Sequence, residues 1–254
     1  MMTGTVKTSL TAFLAVPITM ICAELHAQKP DVPGSAEMTR HSYELVVLIH
    51  GFGRTSRDMR FLKRYFEKRG YSVYAPTLPT FFRSVDDCAG ILAEKLAEQD
   101  RIGSVDRVHF VGHSMGGLIL RRFLAQNTVP NLGRCILIGS PSGGTPLGAM
   151  VKKYLPPLTW ISPVYRSFQP GGIPIPLPRN DPPPDFGAIA GCGSGLFLGR
   201  LIEGPNDGRV PVGSVTFEGM TAFIVLPYHH EEIHYQHKTA EVIEWFLTTG
   251  RFTP

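Results

Sequence analysis

The sequence predicts an α/β fold, with a mostly parallel central sheet and helices on both of its faces. From residue 43 onward, short apolar runs alternate with amphipathic stretches of helical period, and strands alternating with helices imply parallel pairing under a helical cover. The apolar runs carry few polar positions, which suits strands packed on both faces. A chain of 254 residues, 43% hydrophobic and 18% charged, has a globular composition and suits one substantial α/β domain or two small ones.

The elements follow in order. "YELVVLIH", residues 43–50, reads as a buried strand that runs into Gly51-Phe52-Gly53. "RTSRDMRFLKRYFEKRG" places Met59, Leu62 and Phe66 on one helical face and stops at Gly70. "YSVYAPTLP" is a second strand, halted by prolines. "SVDDCAGILAEKLAEQ" opens with Ser84 and Asp87 in capping-box spacing and carries an apolar stripe of Val85, Cys88, Leu92 and Leu96. "DRVHFVGHS" is a third strand, "MGGLILRRFLAQN" a third helix and "RCILIGS" a fourth strand. After the insertion, "FGAIAG" and "MTAFIVLP" are strand-like, and "TAEVIEWFLTTG" closes the chain as a helix through Val242, Ile243, Phe246 and Leu247.

The insertion spans about residues 149–186. Ten of the chain's 22 prolines fall between Pro156 and Pro184, a density that forbids long helices and central strands. Trp160, Tyr165, Phe168 and several aliphatic residues make it too apolar for a solvated linker. It is read as a lid or pocket wall over a binding cleft, with a Pro-rich surface loop as the alternative.

Residues 1–27 have the layout of a secretory signal: Lys7, then sixteen uncharged residues from Thr8 to Ala23, then Ala27-Gln28. Export, with the protein periplasmic or secreted, is the expectation; an uncleaved N-terminal anchor or an ordinary helix is the alternative. Residues 28–42 read as a linker and 43–254 as the folded domain. Net charge is +4 with basic residues scattered among acids, so nothing suggests nucleic acid. Contact with an anionic lipid surface is compatible with that charge but is not argued by it. Cys88, Cys135 and Cys192 form no C-x-x-C pair and read as small hydrophobes rather than a thiolate site.

The most specific signal is Gly112-His113-Ser114-Met115-Gly116. This G-x-S-x-G lies between an apolar strand and an apolar helix, the context of a nucleophile elbow, where a side chain at Gly112 or Gly116 would collide with the neighbouring elements. A cap on a helix start is the bland alternative for Ser114. A serine hydroxyl attacks only when a base takes its proton, and the developing oxyanion needs donors worth about 3–4 kcal/mol each. The amide of Met115 is one candidate and that of Phe52 the other, with Gly51 allowing close approach and His50 shaping the loop.

"VVLIHGFG", "GHSMGG" and "GSPSGGTPLG" (Gly139 to Gly148) resemble the α/β-hydrolase fold, specifically its triacylglycerol lipase-like esterase branch, and the resemblance runs from about Tyr43 to Phe252. It implies the triad order serine, acid, histidine, with the last two on loops after late strands. Asp207 in "EGPNDGRVPVGS" takes the acid position, although Asn-Asp-Gly also suits a surface turn. His229, His230 and His234 are the candidates for the base; the resemblance of the C-terminal ending points to His230, with His229 shaping the loop. The implied reaction is hydrolysis of a hydrophobic, small-molecule acyl ester through an acyl-enzyme, with no metal or organic cofactor. The same machinery serves phospholipid and thioester hydrolysis.

Two other readings compete. One is a non-catalytic scaffold of the same fold used for binding. The other is a zinc metallohydrolase, because His230-Glu231-Glu232-Ile233-His234 is literally H-E-x-x-H. That pattern holds zinc when it lies within a helix, which puts both histidines on one face. Here it directly follows a strand and Pro227, a clear helix start comes only near Thr239, and Glu241 or Glu244 would have to serve as third ligand. The serine reading draws on four separated segments in the right order, so it is preferred, and His234 and His237 are expected to be surface or loop residues.

Overall fold

A computed structural model of the protein describes residues 41, 43–99, 102–154, 157, 162–193 and 197–252. The signal or anchor expected over residues 1–27 and the linker expected over 28–42 lie outside the described residues, apart from position 41. No described helix is long and apolar enough to cross a membrane.

Six strands form one sheet: β1 (Glu44–Ile49), β2 (Ser72–Tyr74), β3 (Arg107–His113), β4 (Leu132–Ile138), β5 (Phe186–Gly191) and β6 (Ala222–Leu226). Their order is β2-β1-β3-β4-β5-β6, and every neighbouring pair is parallel. The helices are α1 (Arg60–Glu67), α2 (Val85–Ala97), α3 (Met115–Gln126), α4 (Pro146–Tyr154) and α5 (His237–Thr249). The α/β architecture expected from the sequence is therefore the one observed.

The side-chain period of a strand, alternating between faces, sorts the core into two layers. Leu45, Val47 and Ile49 of β1 pack with Val85, Cys88, Leu92 and Leu96 of α2 and Leu118 and Phe123 of α3. Val46 and Leu48 face the other way, onto Leu62 and Phe66 of α1 and Val242, Ile243 and Phe246 of α5. Both faces being covered, the strands have no room for the polar alternation of a one-sided sheet. The capping box is present: Ser84 Oγ accepts the Asp87 amide and Asp87 accepts the Ser84 amide.

Strand order reverses direction at β1 and β3, since the chain leaves β1 for one edge and β3 for the other. Such a switch point opens a crevice at the carboxyl ends of the two strands. Gly51 and Phe52 follow β1, Ser114 follows β3, and the loops after β5 and β6 reach the same end of the sheet.

α4 (Pro146–Tyr154) leads into the Pro-rich segment, whose described part contains a 3-10 helix, Pro163–Phe168. Phe168, Ile173 and Ile175 pack against the core, and the rings of Tyr165 and Phe168 meet Phe52 edge-on at 5.4 and 6.0 Å.

Candidate active site

Ser114 sits at the junction of β3 and α3 with φ 55° and ψ −123°. It is the one non-glycine residue with positive φ among the described residues, a conformation that costs roughly 1–3 kcal/mol and persists only where packing enforces it. The enforcement is visible on either side. A Cβ at Gly112 would lie 2.6 Å from the carbonyl carbon of Gly116, and one at Gly116 only 2.2 Å from the Ile49 carbonyl oxygen. Both obstacles are backbone and cannot swing aside. Gly116→Ala is therefore expected to lower stability by about 3 kcal/mol through overpacking, read as an earlier urea midpoint at unchanged slope. A midpoint equal to wild type would show that β1 and α3 are not wedged as tightly as the geometry indicates.

His230, 4% exposed, reaches Ser114 from the loop after β6. Its Nε2 lies 2.9 Å from Ser114 Oγ and its Nδ1 lies 2.7 Å from Asp207 Oδ2. With Nδ1–H donating to the carboxylate, Nε2 is left as an acceptor for the serine hydroxyl. Asp207 is fully buried, and its second oxygen accepts the amides of Arg209 at 3.0 Å and Val210 at 2.7 Å. Its own backbone carbonyl accepts the His230 amide at 2.9 Å, so acid and histidine loops are tied by backbone as well as side chain. Neighbouring Asn206 braces the turn, donating to the Gly199, Ile202 and Gly204 carbonyls and accepting the Gly208 amide. The Asn-Asp-Gly turn is thus buried rather than on the surface.

The amides of Phe52 and Met115 make no hydrogen bond among the described residues. Met115 opens α3, where the first amides of a helix have no partner within it. A narrow cleft beside them is lined by Phe52, Arg54, Ser114, Arg209, His230 and Glu231. Arg209 bonds Glu231 across its mouth, with Arg54 3.7 Å from the same carboxylate. A second, apolar cavity between Arg121, Leu177, Phe186 and Phe217 contains none of these residues. The arrangement at Ser114 can move a proton from a hydroxyl to an imidazole, with two unpartnered amides on the residues after β1 and after Ser114, which is the equipment for acyl transfer.

His50 lies behind the Phe52 loop, fully buried. Its Nδ1–H donates to the Gly51 carbonyl at 3.0 Å, and its Nε2 accepts the Leu78 amide at 2.9 Å. Both bonds need the neutral ring, and burial lowers its pKa, outweighing the Gly51 carbonyl and Asp58. His113 is likewise pushed down by burial and then by His234 and His230. An unfolded histidine titrates near 6.5, so the unfolded chain takes up protons that these buried rings refuse. Stability is present above that value and is lost as pH falls through it. The melting temperature is expected to drop between about pH 7 and pH 5, with a shallower drop in His50→Gln; a melting temperature flat across this range would contradict it.

The remaining histidines separate. His229 turns its Nδ1 to the Gly193 carbonyl, and its amide donates to Glu232. His237 is exposed at the start of α5, where it meets Phe61 and Tyr65 edge-on. His234, expected at the surface or in a loop, lies in the loop after β6 but is buried there: it is 1% exposed, its ring stacked on His113 at 3.9 Å. Burial of His234 follows from Asp58, whose Oδ2 is 3.2 Å from its Nε2. The H-E-x-x-H stretch lies in a turn and a short 3-10 helix (Ile233–Tyr235), not in an α-helix, so His230 and His234 share no helical face. Glu244 is engaged elsewhere, by Tyr65 and Arg69. Asp58 and His113 went unread in the sequence because neither belongs to a local spacing pattern with His234.

Comparison with known proteins agrees with this architecture. The mature form of a Bacillus licheniformis lipase superposes with TM-score 0.68 at 19% identity, covering 87% of this chain and 95% of that one. A pyrethroid hydrolase from Sphingobium faniae superposes with TM-score 0.56 at 19% identity, covering 81% of this chain and 98% of that one. Identities this low speak for the fold alone. Residues 46–223, the greater part of the chain, match the alpha/beta hydrolase family, and the chain belongs to that family.

Proposed function

We propose that the protein is a serine hydrolase of carboxylic esters with a hydrophobic acyl group. The observation that carries the reading is the continuous chain of contacts from Ser114 Oγ through His230 to the buried Asp207, at 2.9 and 2.7 Å. His230 takes the proton of Ser114 as Oγ attacks the acyl carbonyl. The oxyanion rests on the amides of Met115 and Phe52, and His230 then protonates the departing alcohol. Water, activated by the same imidazole, releases the acid from the acyl-enzyme. Asp207 keeps the ring in the tautomer that presents Nε2 to serine and stabilises the imidazolium.

The aromatic surroundings of Phe52, which lines the cleft, support a preference for an apolar acyl group. Phe52 stacks with Phe81 at 5.4 Å and meets Tyr165 and Phe168, so the side chain beside the candidate oxyanion amide is the hub of an aromatic cluster. An apolar chain buried there gains about 0.8 kcal/mol per methylene. The lipase and the pyrethroid hydrolase that share the fold support ester cleavage as the reaction class.

The test is fluorophosphonate labelling of the purified chain beside Ser114→Ala, with and without EDTA, followed by hydrolysis of p-nitrophenyl butyrate and palmitate. Labelling that depends on Ser114 and survives the chelator is expected, with turnover of at least one ester. Turnover abolished by EDTA, without labelling, would replace the serine mechanism by a metal-dependent one. Absence of both would leave a binding scaffold.

A further inference from the structure

We propose that Asp58, His113 and His234 form a binding site for a zinc-class transition-metal dication, separate from the triad. The three side chains are 9%, 4% and 1% exposed, and each offers one ligand atom such that all three atoms lie within 4.8 Å of one another. Asp58 Oδ2 is 3.2 Å from His234 Nε2 and 3.9 Å from His113 Nδ1. Tetrahedral zinc with bonds near 2.0–2.1 Å holds its ligand atoms roughly 3.3 Å apart, so the cluster is close to the size required.

The polar bookkeeping points the same way. Asp58 Oδ2, His113 Nδ1 and both ring nitrogens of His234 are buried and make no hydrogen bond among the described residues; the 3.2 Å approach of His234 to Asp58 lacks hydrogen-bond geometry. Buried polar atoms without partners are rare and call for an explanation. By contrast, the atoms that would face away from the ion are engaged. His113 Nε2–H donates to the His230 carbonyl at 3.0 Å, leaving the Nδ1 lone pair toward Asp58. Tyr235 Oη–H donates to Asp58 Oδ1 at 2.8 Å, leaving Oδ2 available. Metal-bound histidines and carboxylates are held by this kind of outer hydrogen bond.

His234 is the ligand that has to move. Its ring is stacked 3.9 Å from that of His113, closer than two imidazoles on one tetrahedral ion, so coordination requires it to open from the stack by roughly an ångström. It is also the ligand whose ring nitrogens no hydrogen bond restrains. Two imidazoles and one carboxylate select zinc, cobalt or nickel over calcium and magnesium, which take oxygen ligands. His113 and His234 also line the cleft at Ser114. An ion at the cluster would clamp three segments: the turn before α1, the end of β3 and the loop that carries His230. His230 itself stays with Ser114 and Asp207, so this is not the zinc site that H-E-x-x-H would form.

The experiment uses the full chain, stripped with EDTA and titrated with Co2+ and with Zn2+ after removal of the chelator. Wild type and Ser114→Ala are expected to take up one ion per chain, to show the visible bands of tetrahedral cobalt and to melt higher with Zn2+. Asp58→Asn and His234→Gln are expected to bind at least tenfold more weakly and to lose the melting shift. X-ray absorption on the wild-type zinc form is expected to show two imidazoles and carboxylate oxygen, a readout that needs no variant to fold. No stoichiometric binding, or binding that both substitutions leave unchanged, overturns the proposal; in the first case the cluster is a buried Asp–His contact beside the His230 loop. Neither result bears on the serine reading, which the fluorophosphonate label tests independently.

Discussion

Ser114→Ala is expected to lower kcat for an activated ester by about 10⁴-fold or more while leaving the fold in place. The size follows from what the hydroxyl does. Without Oγ no acyl-enzyme forms, and the residual rate comes only from water attacking a carbonyl bound near the Met115 and Phe52 amides. The stability side is separable, because Ser114 holds its φ of 55° for reasons of packing rather than chemistry. Alanine keeps that strain. Ser114→Gly releases it, since glycine adopts positive φ without a Cβ clash, and should be equally inactive but melt no lower than the alanine variant. Rates from stopped assays and melting by calorimetry on the same preparations check both halves. An alanine variant within tenfold of wild type would remove serine from the chemistry altogether.

The path from sequence to site was short where the signal was local. β1, β3 and the helix after Ser114 are apolar runs bounded by glycine, and the crowding at Gly112 and Gly116 that forces the elbow is implied by the absence of side chains there. The capping box of α2 is a four-residue pattern that closes on itself. α4, just before the Pro-rich stretch, is not among the helices expected from the sequence, although Pro146 occupies its first position, where a missing amide hydrogen costs nothing; a proline that bars a helix interior still permits a short helix to start. The cluster of Asp58, His113 and His234 was beyond reach for a different reason. Its members come from three segments joined only because β1 and β3 are sheet neighbours and the loop after β6 folds back over them. Nothing in the sequence marks His234 for burial over exposed His237; its place against the carboxylate of Asp58 and the ring of His113 is set by tertiary contact alone.

Asp207→Asn should cost nearly as much activity as the loss of the serine, about 10⁴-fold in kcat, through a change of one atom. Asn keeps an oxygen that can accept the Arg209 and Val210 amides, as Oδ1 does now at 3.0 and 2.7 Å. The turn and the stability it confers are therefore expected to survive. What changes is the group 2.7 Å from His230 Nδ1, where a carboxylate oxygen is replaced by an amide NH2. Two donors cannot share that contact, so the imidazole takes the opposite tautomer and points Nε2–H at Ser114. A base that already carries its proton cannot accept another from serine without becoming an imidazolium, and the carboxylate that would have stabilised that charge is gone. The loss should fall on kcat with KM little changed, because no group that touches the acyl chain is altered. Asp207→Ala provides the contrast, leaving the two amides unpaired in a fully buried turn and lowering stability by about 1–3 kcal/mol as well. Asn at this position with kcat within tenfold of wild type would mean that the tautomer of His230 is set by something other than Asp207, and the assignment of the acid would fail at its most deeply buried member.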